Sequence, residues 1–178
     1  MFKKILVALD DSESSRNVFA EALALAQMFN AQLLLLHVIA PSFEDYPEMP
    51  LVADFGVYHY AALHEDAIKR HIEHCAKLER HGLERLRSLA NEARNVDVVA
   101  QFSQNLGEPG RTICEMAGNW QADLIAIGRR GRNQLSEFFL GSVSNYVLHH
   151  APCSVLTVQG LMAEREEVEK TNAVSTAN

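Results

Sequence analysis

Residues 4–38 read KILVALDDSESSRNVFAEALALAQMFNAQLLLLHV, and this stretch decides the fold class. It predicts a strand at Lys4–Leu9, a helix from Ser12 to Phe29 and a second strand at Gln32–Val38. Both strands are short, continuously apolar runs, which is typical of strands that are covered on both faces. A strand, a helix and another covered strand in succession predict a parallel βαβ unit.

The same alternation of short apolar runs and helical patterns continues to residue 159. In the longest predicted helix, the apolar stripe comprises Ile68, Ile72, Cys75, Leu83, Leu86, Ala90 and Ala93. Further strands are predicted at Val96–Phe102, Asp123–Ile127 and Ser154–Val158, and further helices at Tyr58–Arg94, Pro109–Trp120 and Ser142–His150. This pattern predicts a doubly wound α/β fold, with a five-stranded parallel sheet in the order 3-2-1-4-5 and helices on both faces.

A single domain at residues 1–159 accounts for this pattern. The connection 40–56 contains three prolines and is long for a compact domain, so we expect a lid or a contact surface there. Residues 160–178 are polar, and their last part, TNAVSTAN, has no periodicity. We expect these residues to form a frayed C-terminal tail.

The composition excludes several classes of protein. The 178-residue chain has a formal net charge of -7 and no basic cluster, which disfavours nucleic-acid binding because that affinity comes largely from neutralised phosphates. Its cysteines, Cys75, Cys114 and Cys153, are far apart, which argues against a disulfide framework or a zinc ribbon. The apolar run Ile5–Leu9 is too short for a signal peptide or a membrane span, so we expect a cytoplasmic location.

Two chemically unusual segments follow the strands that the predicted order makes neighbours. Asp10-Asp11-Ser12 follows strand one, where Asp11 or Ser12 can cap the first helix, and Gly128-Arg129-Arg130-Gly131 follows strand four. In a doubly wound sheet the connections of these strands depart in opposite directions, which opens a crevice at their carboxyl ends. The sequence therefore predicts a ligand site between the two segments.

The longer segment IGRRGRNQLSEFFLGSVSN, which begins at Ile127, has the composition of an anion site. Gly128 and Gly131 can adopt positive φ and let backbone amides approach a ligand closely. Gly141 then opens a helix, whose free amides and positive dipole end favour phosphate. Each part also has an ordinary explanation as a turn, a cap or a solvated charge, but their combination at the crevice favours phosphate binding. Further donors are the hydroxyls of Ser142 and Ser144 and the guanidinium groups of Arg129 and Arg130.

The spacing Gly-x2-Gly-x9-Gly-Ser, formed here by Gly128, Gly131, Gly141 and Ser142, is the signature of the ATP-binding branch of the universal stress protein family. The chain resembles that branch. The opening KKILVALDDSESS, the LLLLHVI of strand two and the closing APCSVLTVQ are also similar to this family, so the resemblance spans about residues 1–159. It implies the same five-stranded fold, which is like that of the adenine nucleotide alpha hydrolases.

The resemblance also implies a function. It implies a stress-response protein that binds ATP, or AMP or ADP, with Mg2+ held through the phosphates, and a homodimer formed through Ser154–Val158, together with an unidentified signalling partner. Asp10 is expected beside the nucleoside, Val38 at the adenine or ribose, and the glycine segment around the phosphates. The expected nucleotide-binding residues are Ala8, Leu9, Asp10, Val38, Ile127, Gly128, Arg129, Arg130, Gly131, Gly141, Ser142, Val143 and Ser144.

Three other kinds of site fit the sequence less well. A Walker P-loop or a Rossmann dinucleotide site would place glycines directly after strand one, where this chain has LDDSESS. A phospho-accepting receiver domain needs an aspartate ending strand three and a lysine ending strand five, where this chain has AQFSQ and LTVQG. A metal site is conceivable because histidines cluster on the long helix and one of them is four residues from Cys75, but exposed helical histidines are normally only polar residues. The histidines in question are His59, His64, His71, His74 and His81, whereas His149 and His150 are expected to interact with the negative end of their helix.

Catalysis is not expected to be the main role. Hydrolysis of ATP needs a positioned water and a group that orients it. Asp10, Asp11 and Glu137 are conceivable, but none is a dedicated general base with an orienting partner. We therefore expect a regulatory ligand with at most slow hydrolysis. A genuine slow ATPase and an interaction module with a vestigial pocket stay open as alternatives.

Overall fold

The computed structural model describes residues 1–40, 57–129 and 140–159. Within the helix that begins at Val57, side chains are described at Lys69, Ile72 and Glu73 and from Ala76 onwards. The elements, in chain order, are β1 (Lys4–Leu9), α1 (Ser14–Phe29), β2 (Gln32–Ile39), α2 (Val57–Arg94), β3 (Ala100–Leu106), α3 (Pro109–Trp120), β4 (Leu124–Gly128), α4 (Ser142–His150) and β5 (Ser154–Val158).

The five strands form one parallel sheet in the order β3-β2-β1-β4-β5, which confirms the predicted topology. β1 lies at the centre, where Ala8 pairs with Leu36 of β2 on one side and with Ile127 of β4 on the other. Its residues from Ile5 to Leu9 are buried, as expected for a strand covered on both faces. β3 and β5 are the two edge strands of the described sheet.

Two apolar layers cover the sheet, one on each face. Alternate residues of β1 and β2, among them Val7 and Leu35, pack with α1 and the C-terminal half of α2. The residues between them, among them Leu6 and Leu34, pack with α3 and α4. Side chains of successive strand residues point to opposite faces, so a continuously apolar strand contributes to both layers. The predicted placement of helices on both faces is confirmed.

The prediction that β3 begins at Val96 is wrong, because the chain first completes the end of α2. The amides of Val96 and Val98 both donate to the carbonyl of Ala93, and Asp97 adopts a left-handed φ of 61°. This turn leaves Val96 40% exposed and delays the strand until Ala100. Valines in a helix-ending turn resemble a strand in the sequence.

The long helix α2 extends beyond the sheet, so the predicted apolar stripe is not buried along its whole length. Its 38 residues at roughly 1.5 Å each give about 57 Å, whereas the 8 residues of β2 give about 26 Å. Leu86, Ala90 and Ala93 are buried and Leu83 is half-buried, but Ile72 is 60% exposed because it lies where α2 has left the sheet. The side chains of Ile68 and Cys75 lie outside the described residues, as do positions 41–56 of the predicted lid, positions 130–139 and the predicted tail.

The predicted cap of α1 by Asp11 or Ser12 is also wrong. The helix begins at Ser14 after Glu13, which makes no side-chain capping bond. The hydroxyl of Ser12 instead binds the Asp10 carboxylate, so it is turned back towards β1.

Candidate functional site

The carboxyl ends of β1 and β4 form the topological switch point of the sheet. The two strands pair directly up to Ala8 and Ile127, so the segments that follow them start side by side. The chain leaves β1 for α1 on one face and leaves β4 for α4 on the other face. Ligands of doubly wound sheets bind at such a point. The structure therefore brings Asp10 and Arg129 to the same edge of the sheet, as predicted.

The turn after β1 is organised around the carboxylate of Asp10. Oδ1 accepts hydrogen bonds from the amide of Ser12 at 3.1 Å, from the hydroxyl of Ser12, and from the hydroxyl of Ser15 at 2.6 Å. The amide of Asp10 in turn donates to Ser15 Oγ at 2.9 Å. Ser15 is 2% exposed, whereas Asp10 and Ser12 are half-buried, so the network is shielded from water on its Ser15 side. These bonds hold the Asp10 side chain in one orientation at the switch point.

We call the segment between β4 and α4, residues 129–141, the glycine-rich connection. The carbonyl of Arg129 joins its two ends through hydrogen bonds. This oxygen accepts bonds from the Gly141 amide and from Ser144 Oγ, both at 2.9 Å. Ser144 Oγ also lies 2.9 Å from the Gly141 carbonyl and is buried. The hydroxyl of Ser144 was expected to serve as a ligand donor. In the structure it lies instead within hydrogen-bond distance of main-chain carbonyls at the two ends of the connection.

The N-terminus of α4 presents main-chain amides at the switch point. The first intrahelical bond runs from Asn145 N to the Gly141 carbonyl, so α4 does not itself use the amides of Ser142, Val143 and Ser144. Three successive amides at a helix start, together with the positive end of the helix dipole, are suited to an anion. The side chain of Ser142 is exposed, which leaves this end of α4 open to solvent.

Two of the three glycines of the predicted spacing lie within the described residues. Gly128 is the last residue of β4 and pairs with Val158, and Gly141 has a φ of -60°. Among the described residues, Gly107 is the glycine with positive φ, so the left-handed conformation expected at Gly128 is not adopted. Arg130 and Gly131 lie outside the described residues.

The remaining predicted site residues divide between the two faces of the sheet. Ala8, Val38, Ile127 and Val143 pack in the layer beneath α3 and α4. Leu9 belongs to the opposite layer, beneath α1 and α2, so its side chain is not brought together with the others. Arg129 extends its guanidinium towards the end of β5, where Nη1 lies 3.2 Å from Gln159 Oε1.

A polar cluster that was not predicted from the sequence lies on the α1 and α2 face of the same edge. Arg85 of α2 donates to the carbonyl of Asp10 at 2.5 Å and lies 3.8 Å from Asp11 Oδ1. His37, 9% exposed, has Nε2 3.8 Å from the same carboxylate oxygen and Nδ1 3.3 Å from Gln104 Oε1. Arg85 is four residues before Leu89 on the sheet-facing side of α2, which is the signal that could have indicated it.

The cavity within this cluster is too small for a nucleoside. It has a volume of about 10 Å³, which is at the lower limit for a single water. Its walls are Leu9, Asp10, Asp11, His37, Gly82, Arg85 and Leu86. A nucleoside therefore does not fit within this cavity.

The described residues contain no cluster of three or more His, Cys, Asp or Glu side chains that could hold a metal ion. His81 is exposed, and the other four histidines of the predicted cluster have side chains outside the described set. At the end of α4, His150 Nδ1 lies 2.8 Å from the Tyr146 carbonyl and its ring stacks on Tyr146 at 4.1 Å. The predicted interaction of His150 with the negative end of its helix is thus confirmed.

Comparison with known proteins identifies the family of this chain. The model of the universal stress protein family matches residues 1–159, and the chain belongs to that family. One relative, universal stress protein Sll1388 of Synechocystis sp., is 41% identical over 159 residues, which cover 89% of this chain and 98% of the relative. In the helices of the described ranges, no segment is long and apolar enough to cross a membrane.

Solved structures of lower identity share the fold. Hypothetical protein MJ0577 is 24% identical with a TM-score of 0.69, and the match covers 89% of this chain and 96% of that one. A universal stress protein in complex with cAMP is 21% identical with a TM-score of 0.57, over 90% and 99% of the two chains. A universal stress protein family protein from Arabidopsis thaliana, At3g01520, with AMP bound, is 20% identical with a TM-score of 0.56, over 91% and 94%.

Proposed function

We propose that this universal stress protein binds an adenine nucleotide, ATP in the first place, at the carboxyl edge where β1 and β4 end. The observation that carries the proposal is the direct pairing of these strands up to Ala8 and Ile127, which brings the Asp10 turn and the start of α4 to one switch point. Doubly wound sheets bind their ligands at that position.

Charge and hydrogen-bond donors at this edge suit a phosphate chain. The unused amides of Ser142, Val143 and Ser144 and the dipole of α4 favour an anion there, and Arg129 adds a cation. Asp10 supplies a fixed acceptor that suits a ribose hydroxyl, and Val38 supplies an apolar contact for the base on the α3 and α4 face. The complexes of two solved family members with cAMP and with AMP support an adenine nucleotide.

The nucleotide acts as a regulatory ligand in this proposal, with Mg2+ bound through its phosphates and at most slow hydrolysis. Turnover of several ATP molecules per second by the purified protein would contradict this role. Residues 1–159 act as one domain in the cytoplasm. An unidentified signalling partner recognises the nucleotide-bound form of the protein.

β5 is the proposed homodimer edge. It is the last strand of the described sheet and pairs with β4 alone among the described strands, so its outer backbone groups resemble a free edge. Ser154 is exposed, and the three residues after it are only half-buried. Size-exclusion chromatography with light scattering at micromolar concentration should show a dimer, and a monomer would contradict this assignment.

Isothermal titration with ATP, ADP, AMP and cAMP, with and without Mg2+, tests the nucleotide proposal. Gly131→Val should abolish binding without unfolding the protein, because a branched side chain prevents close backbone approach and disfavours positive φ. Gly118→Val is the matched control, since an added Cβ there would meet only Pro152 Cγ at 3.9 Å. Unchanged affinity of Gly131→Val would show that the glycine-rich connection does not hold the phosphates.

A further inference from the structure

The turn between β1 and α1 is held from outside by a side chain of α2. Arg85 Nη1 donates to the carbonyl of Asp10 at 2.5 Å, and Nη2 donates to the carbonyl of Ser12 at 3.4 Å. The same guanidinium group lies 3.8 Å from Asp11 Oδ1. One cation thus contacts three consecutive residues of the turn. We call this set of contacts the Arg85 clamp.

One turn before the clamp, α2 lies close to side chains of the sheet. A Cβ added at Gly82, one turn before Arg85, would lie 2.8 Å from His37 Nδ1 and closer still to Gln104 Oε1. Gln104 Nε2 also donates to the carbonyl of Glu79 at 3.0 Å, which fixes the same stretch of α2 against β3. A side chain at position 82 would therefore require the side chains of Gln104 and His37, or α2 itself, to shift.

The clamp and the internal bonds of the turn hold different atoms. The carboxylate of Asp10 is held by Ser12 and Ser15, which belong to the turn and to α1. The carbonyls of Asp10 and Ser12 are held by Arg85, which is 73 residues or more away in sequence. Loss of Arg85 would therefore release the main chain of the turn from α2, so the internal bonds that the Asp10 and Ser12 amides donate would open more often.

We propose that Arg85 is a positioning residue of the nucleotide site, which holds the main chain of Asp10–Ser12 in place and couples it to helix α2. The nucleotide part of this inference rests on the proposed function. A nucleotide that contacts Asp10 meets a turn that is already ordered, so binding does not have to order it. Because coupling between two sites is reciprocal, the bound nucleotide should also stabilise the contact between the turn and Arg85 of α2.

The test combines nucleotide titration with amide hydrogen exchange followed by NMR on the full chain. The variants are Arg85→Met, which removes the donors, and Arg85→Lys, which keeps the charge but loses the paired geometry of the guanidinium. Arg87→Met is the control, because Arg87 is exposed on the same helix. Exchange is measured first without nucleotide, so that the clamp is assessed independently of ligand binding.

Without nucleotide, the amides of Asp10 and Ser12 should exchange about tenfold faster in Arg85→Met, as expected for loss of a charge-assisted hydrogen bond. ATP should bind about tenfold more weakly to the same variant. Arg85→Lys should lie between Arg85→Met and the wild type in both measurements, and Arg87→Met should match the wild type. ATP should slow exchange of the α2 amides next to Arg85 in the wild type but not in Arg85→Met, which a purely structural arginine would not cause.

Unchanged exchange at Asp10 and Ser12 in Arg85→Met would overturn the clamp. Faster exchange with unchanged ATP affinity would overturn its connection with the nucleotide site. If the wild type itself bound no nucleotide, the proposed function would fail, and the holding of the turn by Arg85 would be decided by the exchange rates measured without ligand. If Arg85→Met did not fold, Arg85→Lys would provide the same comparison.

Discussion

The hydroxyl of Ser144 is expected to contribute to the stability of the fold, whereas that of Ser142 is not. Ser144 is 2% exposed, and its hydroxyl lies 2.9 Å from the carbonyls of both Arg129 and Gly141. In Ser144→Ala these carbonyls keep their other donors, the amides of Gly141 and Asn145. No carbonyl is left unpaired, so we expect a loss of about 1–2 kcal/mol, the net value of the missing hydrogen bonds.

Ser142→Ala is the matched control for this substitution. Both serines lie in the first turn of α4, so both variants gain the same helix propensity, but Ser142 is exposed and its loss should change stability by about 0.5 kcal/mol or less. Urea unfolding followed by circular dichroism measures the difference, which should correspond to a melting temperature roughly 3–6 °C lower in Ser144→Ala. Equal urea midpoints for the two variants, or a Ser144→Ala protein as stable as the wild type, would show that the hydroxyl of Ser144 does not stabilise the connection.

Two further substitutions test the packing of the helices and the start of the sheet. Gly110→Ala would place a Cβ 2.7 Å from the Tyr146 ring and should destabilise the protein by about 1–3 kcal/mol in thermal unfolding, whereas Gly118→Ala should be neutral or stabilising. Asp123 accepts bonds from two successive main-chain amides near the N-terminus at 2.7 and 2.9 Å, and these bonds lower the pKa of its carboxyl group. A lowered pKa in the folded state means that the contribution is present above the unfolded value of about 3.9 and is lost as pH falls through the folded value. Asp123→Asn should therefore melt roughly 1–2 °C below the wild type at pH 7, and a difference that did not narrow as the pH was lowered below about 3.9 would contradict this explanation.

Strand positions could be predicted from the sequence where burial on both faces forces apolar residues into continuous runs. β1 and β5 have the predicted bounds, and β2 ends one residue beyond its prediction, at Ile39. The edge strand β3, AQFSQNL, has only one fully buried residue, so its pattern is weak and the valines before it were more strand-like. Its start is set by the hydrogen bonds that end α2, and these involve Ala93, outside the strand itself.

The juxtaposition of the two segments at the candidate site could also be predicted, because the strand order alone makes Asp10 and Gly128 neighbours. The hydrogen bonds within the candidate site could not be predicted. The hydroxyl of Ser144 was expected to face a ligand, but its partner is a carbonyl 15 residues earlier in the chain. Arg85 lies on the sheet-facing side of α2, but the turn that it contacts is 73 residues or more away in sequence, so no local pattern indicates that contact.

The carbonyl of Arg129 has a consequence for how related proteins can diverge. Because it fastens both ends of the glycine-rich connection to the sheet and to α4, the intervening sequence can vary without disturbing the strands on either side. Loop length and composition can then change at little loss of stability. In the proposed function, ligand preference and fold maintenance therefore belong to separate parts of the chain, so new specificities can evolve on an unaltered scaffold.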